Sequence, residues 1–354
     1  MPMRVLLHEN QICERGTTQA VIDYAHGLNE LGHEVAIAYP IEAKANVPKQ
    51  IDVLSEQFTL LPYGRIDALR EMGQEFDAAY FIKGGEFDGK DAGPIRTVVH
   101  AVFQNYDPHG DHYAYVSQWL ADHMRRQALG PFGRRREGRE LGRSAEAQGC
   151  SNALDFSWIP HACDMPDSTE SVRSRLAIPD EAFVILRYGG FQTFDVDWAQ
   201  GVIDQQLRVN PDWYFIGVNT EPFTTHERAL FLPPVISRQE KANLLGSADV
   251  FMTARREGES FGLSHVEALQ MGLPVLAWSG GRDRNHVEML SDIHGLYRDP
   301  KSLVRDLRNI RDGAGVAGEP SRRARGDEFR PAKVVPLLEQ ALKGNSAYFD
   351  KVAT

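Results

Sequence analysis

The chain has 354 residues, which favours two domains, and its 42% hydrophobic and 25% charged residues are ordinary for a globular protein. With a formal net charge of -10, the chain lacks the overall positive charge that attracts nucleic acid or anionic membranes. Three cysteines, Cys13, Cys150 and Cys163, are too few for a disulfide scaffold, and their spacing is not that of a metal site.

The hydropathy of the chain predicts a protein without a membrane segment. No apolar run approaches the roughly 18–20 residues that a transmembrane helix needs. The N-terminal residues MPMRVLLHENQICERG predict a first strand and not a signal peptide, because they carry a very short apolar run. We therefore expect a cytoplasmic protein.

Short apolar runs alternate with helix-like stretches along the chain. The helical stripe of QAVIDYAHGLNEL ends before Gly32, which we expect at the C′ position of the first helix. The alternation predicts mainly parallel sheets with helices on both faces. The strand candidates are MRVLLH (3–8), EVAIAYP (34–40), FTLLPY (58–63), AAYFIK (78–83), RTVVHAVF (96–103), HYAYVS (112–117), FVILRYGG (183–190), WYFIGVN (213–219), FLPPVI (231–236), DVFMTAR (249–255) and LPVLAW (273–278).

The alternation breaks at about residues 125–155, in a segment rich in Arg and Gly that lacks a sustained apolar period. We expect a surface excursion, either flexible or stabilised by a partner. One interpretation is a solvated loop that Glu137 and Glu140 partly neutralise, and the other is a contact for an anionic acceptor or partner. The arginines of the excursion over 125–143 are Arg125, Arg126, Arg134, Arg135, Arg136, Arg139 and Arg143.

Two stretches place small or flexible residues at the start of a predicted helix, where backbone N–H groups and the helix dipole favour an anion. One is Gly16-Thr17-Thr18, after the first strand, and we assign Gly16 and Thr17 to the donor-binding residues described below. The other runs from Glu259 to Glu267. A capping box of Ser264 and Glu267 would explain part of the second stretch, but it leaves Glu259 unexplained.

Two long segments resemble the signatures of GT-B glycosyltransferases of the large family 4. GTTQAVIDYAHGLNELGHEVAIAYP has the family's Gly-containing loop, its helix and the GHEV entry into the second strand. SADVFMTARREGESFGLSHVEALQMGLPVLAWSGG has the E-x-F-G-L turn, a second Glu at the spacing E-x7-E, and EA-x-x-x-G-x-PV. IPHACD (159–164) is similar to the domain junction I-P-x-G-x-D, with Ala162 in the usual Gly place. The resemblance covers roughly residues 3–40 and 95–310.

The resemblance implies a GT-B fold, in which two Rossmann-like α/β/α domains face each other across a cleft. It implies an N-terminal acceptor domain over residues 1–160 and a C-terminal domain for the nucleotide-sugar donor over 161–330. We expect residues 331–354 to form a C-terminal helix that packs back on the N-terminal domain.

The resemblance also implies roles for the E-x7-E segment. The position of Glu267 binds the ribose hydroxyls of the nucleotide sugar, and the position of Glu259 contacts hydroxyls of the transferred sugar. The backbone N–H groups of Phe261, Gly262 and Leu263 face the sugar and the phosphates. Carboxylates are strong acceptors for vicinal hydroxyls, so the chemistry agrees with these roles.

The chain departs from the family where the diphosphate is usually held. The family follows the first strand of the C-terminal domain with G-R and later a Lys, but here Gly190 and Phe191 stand in place of G-R and no Lys follows. We expect Arg255 or Arg256, and the backbone amides near Gly190, to replace that pair. Strand geometry predicts that only one of the two arginines reaches the phosphates. Arg187, Arg238 and Lys241 are further candidates.

A catalytic histidine is also expected, because the family often has one at the end of a strand near the reacting sugar. His100 ends RTVVH and is our candidate. An ordinary strand-end histidine, or a match to His109 or His112 instead, are the alternatives.

The sequence therefore predicts a retaining glycosyltransferase that moves a hexosyl or pentosyl group from a nucleotide sugar to a small-molecule or glycan acceptor. The resemblance implies a front-face mechanism, in which the leaving phosphate helps to take the acceptor proton, without a cofactor or a metal ion. DVD (195–197) fits an Asp-x-Asp metal site by its letters, but a solvated turn is favoured. An anionic acceptor would suit Arg134, Arg135 and Arg136.

Three alternatives stay open. A nucleotide-sugar epimerase or hydrolase of the same fold would convert the nucleotide sugar without an acceptor. A degenerate, non-catalytic nucleotide-sugar-binding protein would explain the missing Arg and Lys. A sugar transferase acting on modified DNA is suggested only by the Arg-rich excursion and would bind duplex DNA in a salt-sensitive way.

Overall fold

The computed structural model describes residues 1–130 and 135–345. The chain divides into two compact units. The first contains residues 1–162 and the C-terminal segment that starts at Arg330, and the second is Cys163–Phe329. In the described ranges, no helix combines the length and the apolar character that crossing a membrane would require.

The first unit is built on a six-stranded parallel sheet. Its strands are β1 (Arg4–His8), β2 (Glu34–Pro40), β3 (Thr59–Tyr63), β4 (Ala78–Lys83), β5 (Arg96–Ala101) and β6 (His112–Tyr115). They lie in the order β3-β2-β1-β4-β5-β6, and every neighbouring pair is parallel. β4 and β6 are buried along their whole length, as is typical of strands inside a parallel sheet.

The first helix behaves as its sequence predicts. Its buried residues include Val21, Ala25 and Leu28, and it ends at a glycine with φ +85°, Gly32, whose N–H donates to the Asn29 carbonyl at 2.9 Å. The predicted C′ role of Gly32 is confirmed. The helices before residue 150 are α1 (Gly16–Glu30), α2 (Pro48–Ser55), α3 (Ile66–Gly73), α4 (Gln118–Leu129) and α5 (Arg135–Ala147).

Part of the Arg-rich excursion is a helix, α5, where the sequence predicted a solvated or flexible segment. Its packed face carries the small buried residues Gly138, Gly142 and Ala145. A Cβ on Gly138 would lie 2.5 Å from the Ala128 carbonyl oxygen, so the helix approaches α4 very closely. Because the packed stripe consists of small residues, it leaves no hydrophobic period in the sequence.

The proposed anionic contact of the excursion is only partly visible. Arg134 and the side chains of Arg135 and Arg136 lie outside the described residues, so their role stays a prediction. Arg125 donates to the Asp155 carbonyl at 2.9 Å and is half exposed. Arg139 and Arg143 are exposed on α5.

The second unit has a six-stranded parallel sheet of its own, in the order β14-β12-β10-β7-β8-β9. The strands of the unit, including the two-stranded pair β11 and β13, are β7 (Phe183–Tyr188), β8 (Trp213–Val218), β9 (Ala229–Leu232), β10 (Val250–Thr253), β11 (Gly258–Glu259), β12 (Val275–Trp278), β13 (Asp283–Arg284) and β14 (Leu296–Tyr297). The helices are α6 (Asp197–Val209), α7 (Arg238–Gly246), α8 (Leu263–Gln270), α9 (Asn285–Leu290), α10 (Pro300–Arg311) and α11 (Glu319–Asp327), and a 3₁₀ turn covers Ser291–Ile293.

One predicted strand, FLPPVI (231–236), is placed wrongly. The strand in this region is β9, which ends at Leu232 directly before Pro233 and Pro234. Proline has no N–H to donate to a neighbouring strand, so β9 ends before Pro233. It therefore begins two residues earlier than predicted, at Ala229.

The C-terminal helix α12 (Pro331–Lys343) belongs to the first unit and packs on α1. Val335 is buried at this contact, and a Cβ on Gly27 of α1 would lie 2.4 Å from its Cγ2 atom. Glu339 accepts from His33 at 2.9 Å, and the Ala341 carbonyl accepts from Arg96 of β5 at 3.0 Å. The missing side chain of Gly27 therefore allows the two helices to approach.

We predict that Gly27→Ala destabilises the protein, although alanine is the better helix former. Overpacking of this kind costs typically about 1–3 kcal/mol, which exceeds the gain of roughly 1 kcal/mol from helix propensity. In a Val335→Ala background both methyl groups are gone and only the Cβ contact at 3.2 Å remains, so the same change should be close to neutral. Denaturant unfolding of the four proteins in this cycle measures the reversal.

Gly201 supplies the control. It lies in α6 and is exposed, and a Cβ at this position would meet no described atom within 4 Å apart from the adjoining backbone of its own helix. Gly201→Ala should therefore stabilise the protein by roughly 0.5–1 kcal/mol. Equal effects of alanine at positions 27 and 201 would contradict the packing argument.

Candidate functional site

The strand order of the second unit reverses between β7 and β10. The chain adds β8 and β9 on one side of β7, then β10, β12 and β14 on the other. The loops after β7 and β10 must therefore diverge at the carboxyl edge of the sheet, and ligands of open α/β sheets bind at such a point. The first of these loops begins with residues 189–193, and the second segment is 254–262 with β11 inside it; the sequence analysis assigned residues of both to the donor.

The turn before α8 has a left-handed backbone at Gly262, with φ 94° and ψ 54°. A Cβ there would lie 2.5 Å from Nδ1 of His265, so position 262 excludes a side chain for steric and conformational reasons. Gly262 is the N-cap residue of α8, and no side chain caps the helix. The capping box of Ser264 and Glu267 is therefore not formed, so capping does not explain the presence of Glu267.

The same turn presents unpaired backbone N–H groups. Those of Gly262, Leu263 and Ser264 have no hydrogen-bond acceptor among the described residues, as expected for the first turn of a helix. Phe261 is 4% exposed, its ring meets Phe329 edge-on at 5.3 Å, and its carbonyl accepts from Asn285 at 2.8 Å. The Phe261 side chain thus anchors the turn inside the unit, while the N–H groups can bind an anion.

Glu259 lies in the short strand β11 and is paired with Arg255. Arg255 Nη1 donates to Glu259 Oε2 at 2.9 Å, and both side chains are partly exposed. The Glu259 N–H donates to His286 Nδ1 at 3.3 Å, which fixes the backbone. Burial raises the pKa of the Glu259 carboxyl, and the Arg255 guanidinium acts in the opposite direction. Carboxylate and guanidinium thus stand together beside the Gly262 turn.

Arg256 has a different set of contacts. Its guanidinium donates to the Asp195 carbonyl at 2.9 Å and pairs with Asp197 at 3.1 Å, and its N–H donates to the Asp195 carboxylate at 2.7 Å. The two aspartates of DVD (195–197) therefore hold Arg256. Of the two arginines, only Arg255 contacts a predicted site residue.

The DVD segment was also weighed as a metal site. No group of three or more His, Cys, Asp or Glu side chains that could hold a metal ion occurs in the part of the chain that the structure describes.

Glu267 is buried in α8 with a partner for each carboxylate oxygen. The Tyr188 hydroxyl donates to Oε2, and Lys241 Nζ donates to Oε1 at 3.2 Å. Burial, followed by the charge of Glu267, raises the pKa of Tyr188 far above its usual range, so the hydroxyl remains a donor. A carboxylate has about four acceptor positions, so lone pairs remain for hydroxyl groups of a ligand.

Sequence reasoning missed these two partners in different ways. Tyr188 was passed over, although its place as the last residue of β7, directly before two glycines, was a visible signal. Lys241 was considered as a phosphate ligand, but its ammonium is paired with Glu267. The sequence could not show that β7 and α7 bring both residues to one carboxylate.

Gly190 lies in the exposed loop 189–193, which follows β7. Its carbonyl accepts from Arg187 Nη2 at 2.8 Å and from the Thr193 N–H at 3.1 Å. No basic residue occurs between Gly189 and Asp197, so the loop itself offers a ligand only backbone groups and uncharged or acidic side chains.

The sheet of the first unit reverses its strand order between β1 and β4, and Gly16 and Thr17 lie near that point at the start of α1. Glu9 directly follows β1 and is 3% exposed, and its Oε2 atom has no hydrogen-bond partner. Burial raises the pKa of the Glu9 carboxyl to about 8, although the amides of Asn10 and Gln11 and the Thr17 hydroxyl lower it. Glu9 is therefore largely protonated at neutral pH. Sequence reasoning missed it, although an acid directly after the first strand was a signal.

Charged residues after β4 complete this edge of the first unit. Asp88 bridges two lysines, at 2.6 Å from Lys83 Nζ and 2.8 Å from Lys90 Nζ. Lys90 Nζ also donates to the Asn10 side chain at 2.7 Å. The loops that follow β1 and β4 are thus tied together by a cluster whose charges are largely compensated internally.

The contacts of His100 favour the alternative of a structural strand-end histidine. It is fully buried, Nδ1 lies 2.7 Å from the Tyr80 hydroxyl, and Nε2 lies 2.7 Å from the Ile159 carbonyl. Burial lowers the pKa of His100 to about 4. Among the other two candidates, His112 is also buried, whereas His109 is partly exposed and its Nε2 has no partner.

Comparisons with known proteins identify the fold. No protein-family model matches the chain, and no curated protein matches it significantly. Solved glycosyltransferases are structurally similar to it over almost its whole length. The Anabaena protein Alr3699/HepE in complex with UDP-glucose has a TM-score of 0.70 at 13% identity and covers 97% of this chain and 100% of its own.

Two further structures give the same result. A glycosyltransferase from Rickettsia africae has a TM-score of 0.64 at 12% identity, covering 97% of this chain and 98% of its own. The pneumococcal O-GlcNAc transferase GtfA, in complex with UDP and GlcNAc, has a TM-score of 0.64 at 10% identity, covering 97% and 99%. The predicted GT-B fold, with two Rossmann-like α/β units, is confirmed by these similarities and by the two parallel sheets.

We predict that Glu9→Gln stabilises the protein at pH 8 and has little effect near pH 4. The folded carboxyl has a pKa of about 8 against an ordinary value of 4.5, so the folded state binds more protons than the unfolded state between these values. Stability therefore falls as pH rises through this window, by at most about 5 kcal/mol at 1.36 kcal/mol per unit. Glutamine cannot ionise and lacks this loss.

Thermal melts at pH 4, 6 and 8 measure the effect, with Glu14→Gln as the control. Glu14 lies in the same loop and is exposed. If both variants follow the wild-type dependence on pH, Glu9 does not titrate as its burial requires.

Proposed function

We propose that the chain is a retaining glycosyltransferase whose second unit binds a nucleotide-sugar donor. One observation carries the proposal: at a single reversal of strand order, the unit brings together Glu267, the Glu259–Arg255 pair and unpaired backbone N–H groups. The fold shared with solved glycosyltransferases supports it. Because one of these was solved with UDP-glucose, UDP and its sugars are the first ligands to test.

In this proposal Glu267 accepts hydrogen bonds from the ribose hydroxyls. Tyr188 and Lys241 hold the carboxylate from both sides, which keeps it oriented before the ligand arrives. Pre-orientation of this kind lowers the entropy that binding must overcome. Because the capping box is not formed, Glu267 is not occupied by a helix-capping role, and its unused acceptor positions support ligand binding.

Glu259 accepts from hydroxyls of the transferred sugar, and Arg255 faces the diphosphate. The leaving diphosphate carries growing negative charge, which N–H groups of the Gly262 turn and the guanidinium can stabilise. One of its oxygens takes the proton of the acceptor hydroxyl as the new glycosidic bond forms on the same face. The reaction then needs neither a second carboxylate as nucleophile nor a metal ion to neutralise the charge.

A non-catalytic nucleotide-sugar-binding protein is the second candidate. This candidate is motivated by Gly190 and Phe191, because they occupy the positions at which the family that the chain resembles has G-R. Both candidates require binding of the nucleotide sugar, and only the first requires transfer to an acceptor. A nucleotide-sugar epimerase or hydrolase would consume the nucleotide sugar without an acceptor.

We predict that nucleoside diphosphates stabilise the protein through Glu267. A ligand at 100 times its dissociation constant should raise the free energy of unfolding by about 2.7 kcal/mol. Glu267→Ala removes a charged acceptor, so the affinity should fall by roughly 1.5–3 kcal/mol. A thermal-shift panel of nucleoside diphosphates and their sugars, followed by calorimetric titration of the best ligand, measures both quantities.

Two variants serve as controls. Glu267→Gln keeps the size of the side chain, and Glu257→Ala removes an exposed glutamate of the same segment. Circular dichroism at the titration temperature confirms that each variant is folded. Full affinity in a folded Glu267→Ala protein, or no shift with any nucleotide in the wild type, contradicts the assignment.

We predict that Arg255→Ala weakens the binding of the preferred nucleoside diphosphate, whereas Arg256→Ala is nearly silent. Among the described residues, the Arg255 guanidinium is paired only with the site residue Glu259, whereas that of Arg256 is bound to Asp195 and Asp197. A charged hydrogen bond contributes about 1.5–3 kcal/mol, which corresponds to a loss of roughly tenfold or more. Calorimetric titration with the diphosphate and with the free nucleoside separates phosphate contacts from base and ribose contacts. The reverse ranking of the two variants would reject this role of Arg255.

A further inference from the structure

The turn that precedes α8 is aligned with the start of α9 by the pairing of β11 and β13. In this parallel pair Glu259 lies opposite Arg284, so the turn begins beside Asn285, the first residue of α9. The two segments approach closely, since a Cβ on Gly258 would lie 1.9 Å from the Asp283 carbonyl oxygen. The turn and the start of α9 are therefore fixed to each other.

Two neighbouring side chains of α9 bind the backbone of this turn. The Glu259 N–H donates to His286 Nδ1 at 3.3 Å. His286 Nε2 lies 2.9 Å from the Trp278 carbonyl, so Nε2 carries the proton and Nδ1 accepts. Asn285 Nδ2 donates to the Phe261 carbonyl at 2.8 Å. Both α9 side chains are buried, which shields these contacts from water.

The hydrogen bond from Asn285 decides where the next N–H group of the turn points. The Phe261 carbonyl and the Gly262 N–H belong to one planar trans peptide, in which the C=O and N–H bonds point in opposite directions. Because the carbonyl is turned towards Asn285, the Gly262 N–H is turned away from it. That N–H has no acceptor among the described residues and is available to a ligand.

The peptide between Phe261 and Gly262 has a competing orientation. The Phe261 ring is buried and fixed, but Gly262 has a φ of 94°, and glycine adopts negative φ values about as readily. Rotation of the central peptide interconverts related turn types, and here it would put the carbonyl where the N–H now lies. A carbonyl oxygen at that place would repel a phosphate, which an N–H group attracts. The turn therefore needs a group that fixes one orientation.

We propose that Asn285 is a positioning residue for the nucleotide sugar, because it locks the 261–262 peptide with the N–H on the ligand side. Asn285 acts through the backbone and does not contact the ligand. His286 holds the start of the same turn. The inference rests on the proposed function for the identity of the ligand, whereas the orientation of the peptide is a property of the turn itself.

The test removes the hydrogen-bond donor and keeps the shape of the side chain. Asn285→Leu has nearly the same size but cannot donate to the Phe261 carbonyl. We expect the affinity for the preferred nucleoside diphosphate, with UDP tested first, to fall about tenfold or more, as for the loss of one or two hydrogen bonds. The affinity for the free nucleoside should stay the same. Asn285→Ser, whose hydroxyl is too short to reach the carbonyl, replaces the leucine variant if that variant does not fold.

Asn210 provides a matched control in the same unit. Its Nδ2 atom donates to the Gln206 carbonyl at 3.0 Å, so Asn210→Leu removes the same kind of hydrogen bond at the end of α6. This variant should bind diphosphate and nucleoside as the wild type does. A merely structural role of Asn285 would lower the melting temperature and leave the ratio of the two affinities unchanged.

A crystal structure of ligand-free Asn285→Leu gives a second readout that needs no ligand. We expect the Phe261 carbonyl to turn, partly or fully, to the side that the Gly262 N–H occupies in the wild type. A peptide that keeps its orientation in this variant overturns the lock.

Calorimetric titration of the full chain with UDP and uridine separates failure of the lock from failure of the proposed function. Wild-type affinity for UDP in folded Asn285→Leu overturns the role of Asn285 and leaves the function standing. So does a loss of UDP affinity that uridine or Asn210→Leu shares equally. If the wild type binds neither UDP nor any other nucleoside diphosphate, the function and the positioning role are both rejected.

Discussion

Where the strand order of a parallel sheet reverses, the segments that follow the two adjacent strands must leave in opposite directions. In the second unit this constraint falls on β7 and β10, which are adjacent in the sheet but are followed by chains that leave towards opposite edges. Loop 189–193 follows β7, and the start of α8 follows β10 and the short strand β11. Because both segments expose N–H groups near the carboxyl edge of the sheet, the topology favours an anion at this point. The side chains then decide which anion it suits.

The charged residues around this point differ in the groups that compensate their charge. Glu259 is paired with Arg255, and Glu267 with Lys241 and the Tyr188 hydroxyl. These contacts hold two carboxylates in place without consuming all of their acceptor positions. Arg187 is different, because its four partners are neutral and its burial lowers the pKa of the guanidinium to about 10, which still leaves it charged at neutral pH. An excess of buried positive charge therefore remains beneath the loop.

Much of the fold could be predicted from the sequence because buried parallel strands are continuous apolar runs. AAYFIK and FVILRYGG predict β4 and β7 correctly, and the turn around Gly262 was located through the resemblance. Two-residue strands such as β11 carry no periodic signal, and the small-residue face of α5 hides its helix.

The partners of the site residues were harder to predict, because they depend on tertiary distance. Tyr188 lies 79 residues from Glu267 in the chain, and Lys241 lies 26 residues away. The catalytic role of His100 stays a prediction: its place at a strand end suggested chemistry, and the sequence could not show that both of its ring nitrogens have partners inside the first unit.

The two units share one strand order, but they differ in the residues directly after their first strand. This difference indicates that the two units suit different chemical groups. After β7 the chain places two glycines and open N–H groups next to a buried cation, which suits a diphosphate. After β1 it places Glu9, a buried carboxyl that is largely neutral at pH 7, while Asp88 compensates the nearby lysines. A neutral carboxyl with an unused oxygen can exchange hydrogen bonds with a hydroxyl group, but it offers little to a phosphate. The proposed assignment of the nucleotide sugar to the second unit therefore follows from side chains at equivalent positions, since the sheets themselves are alike.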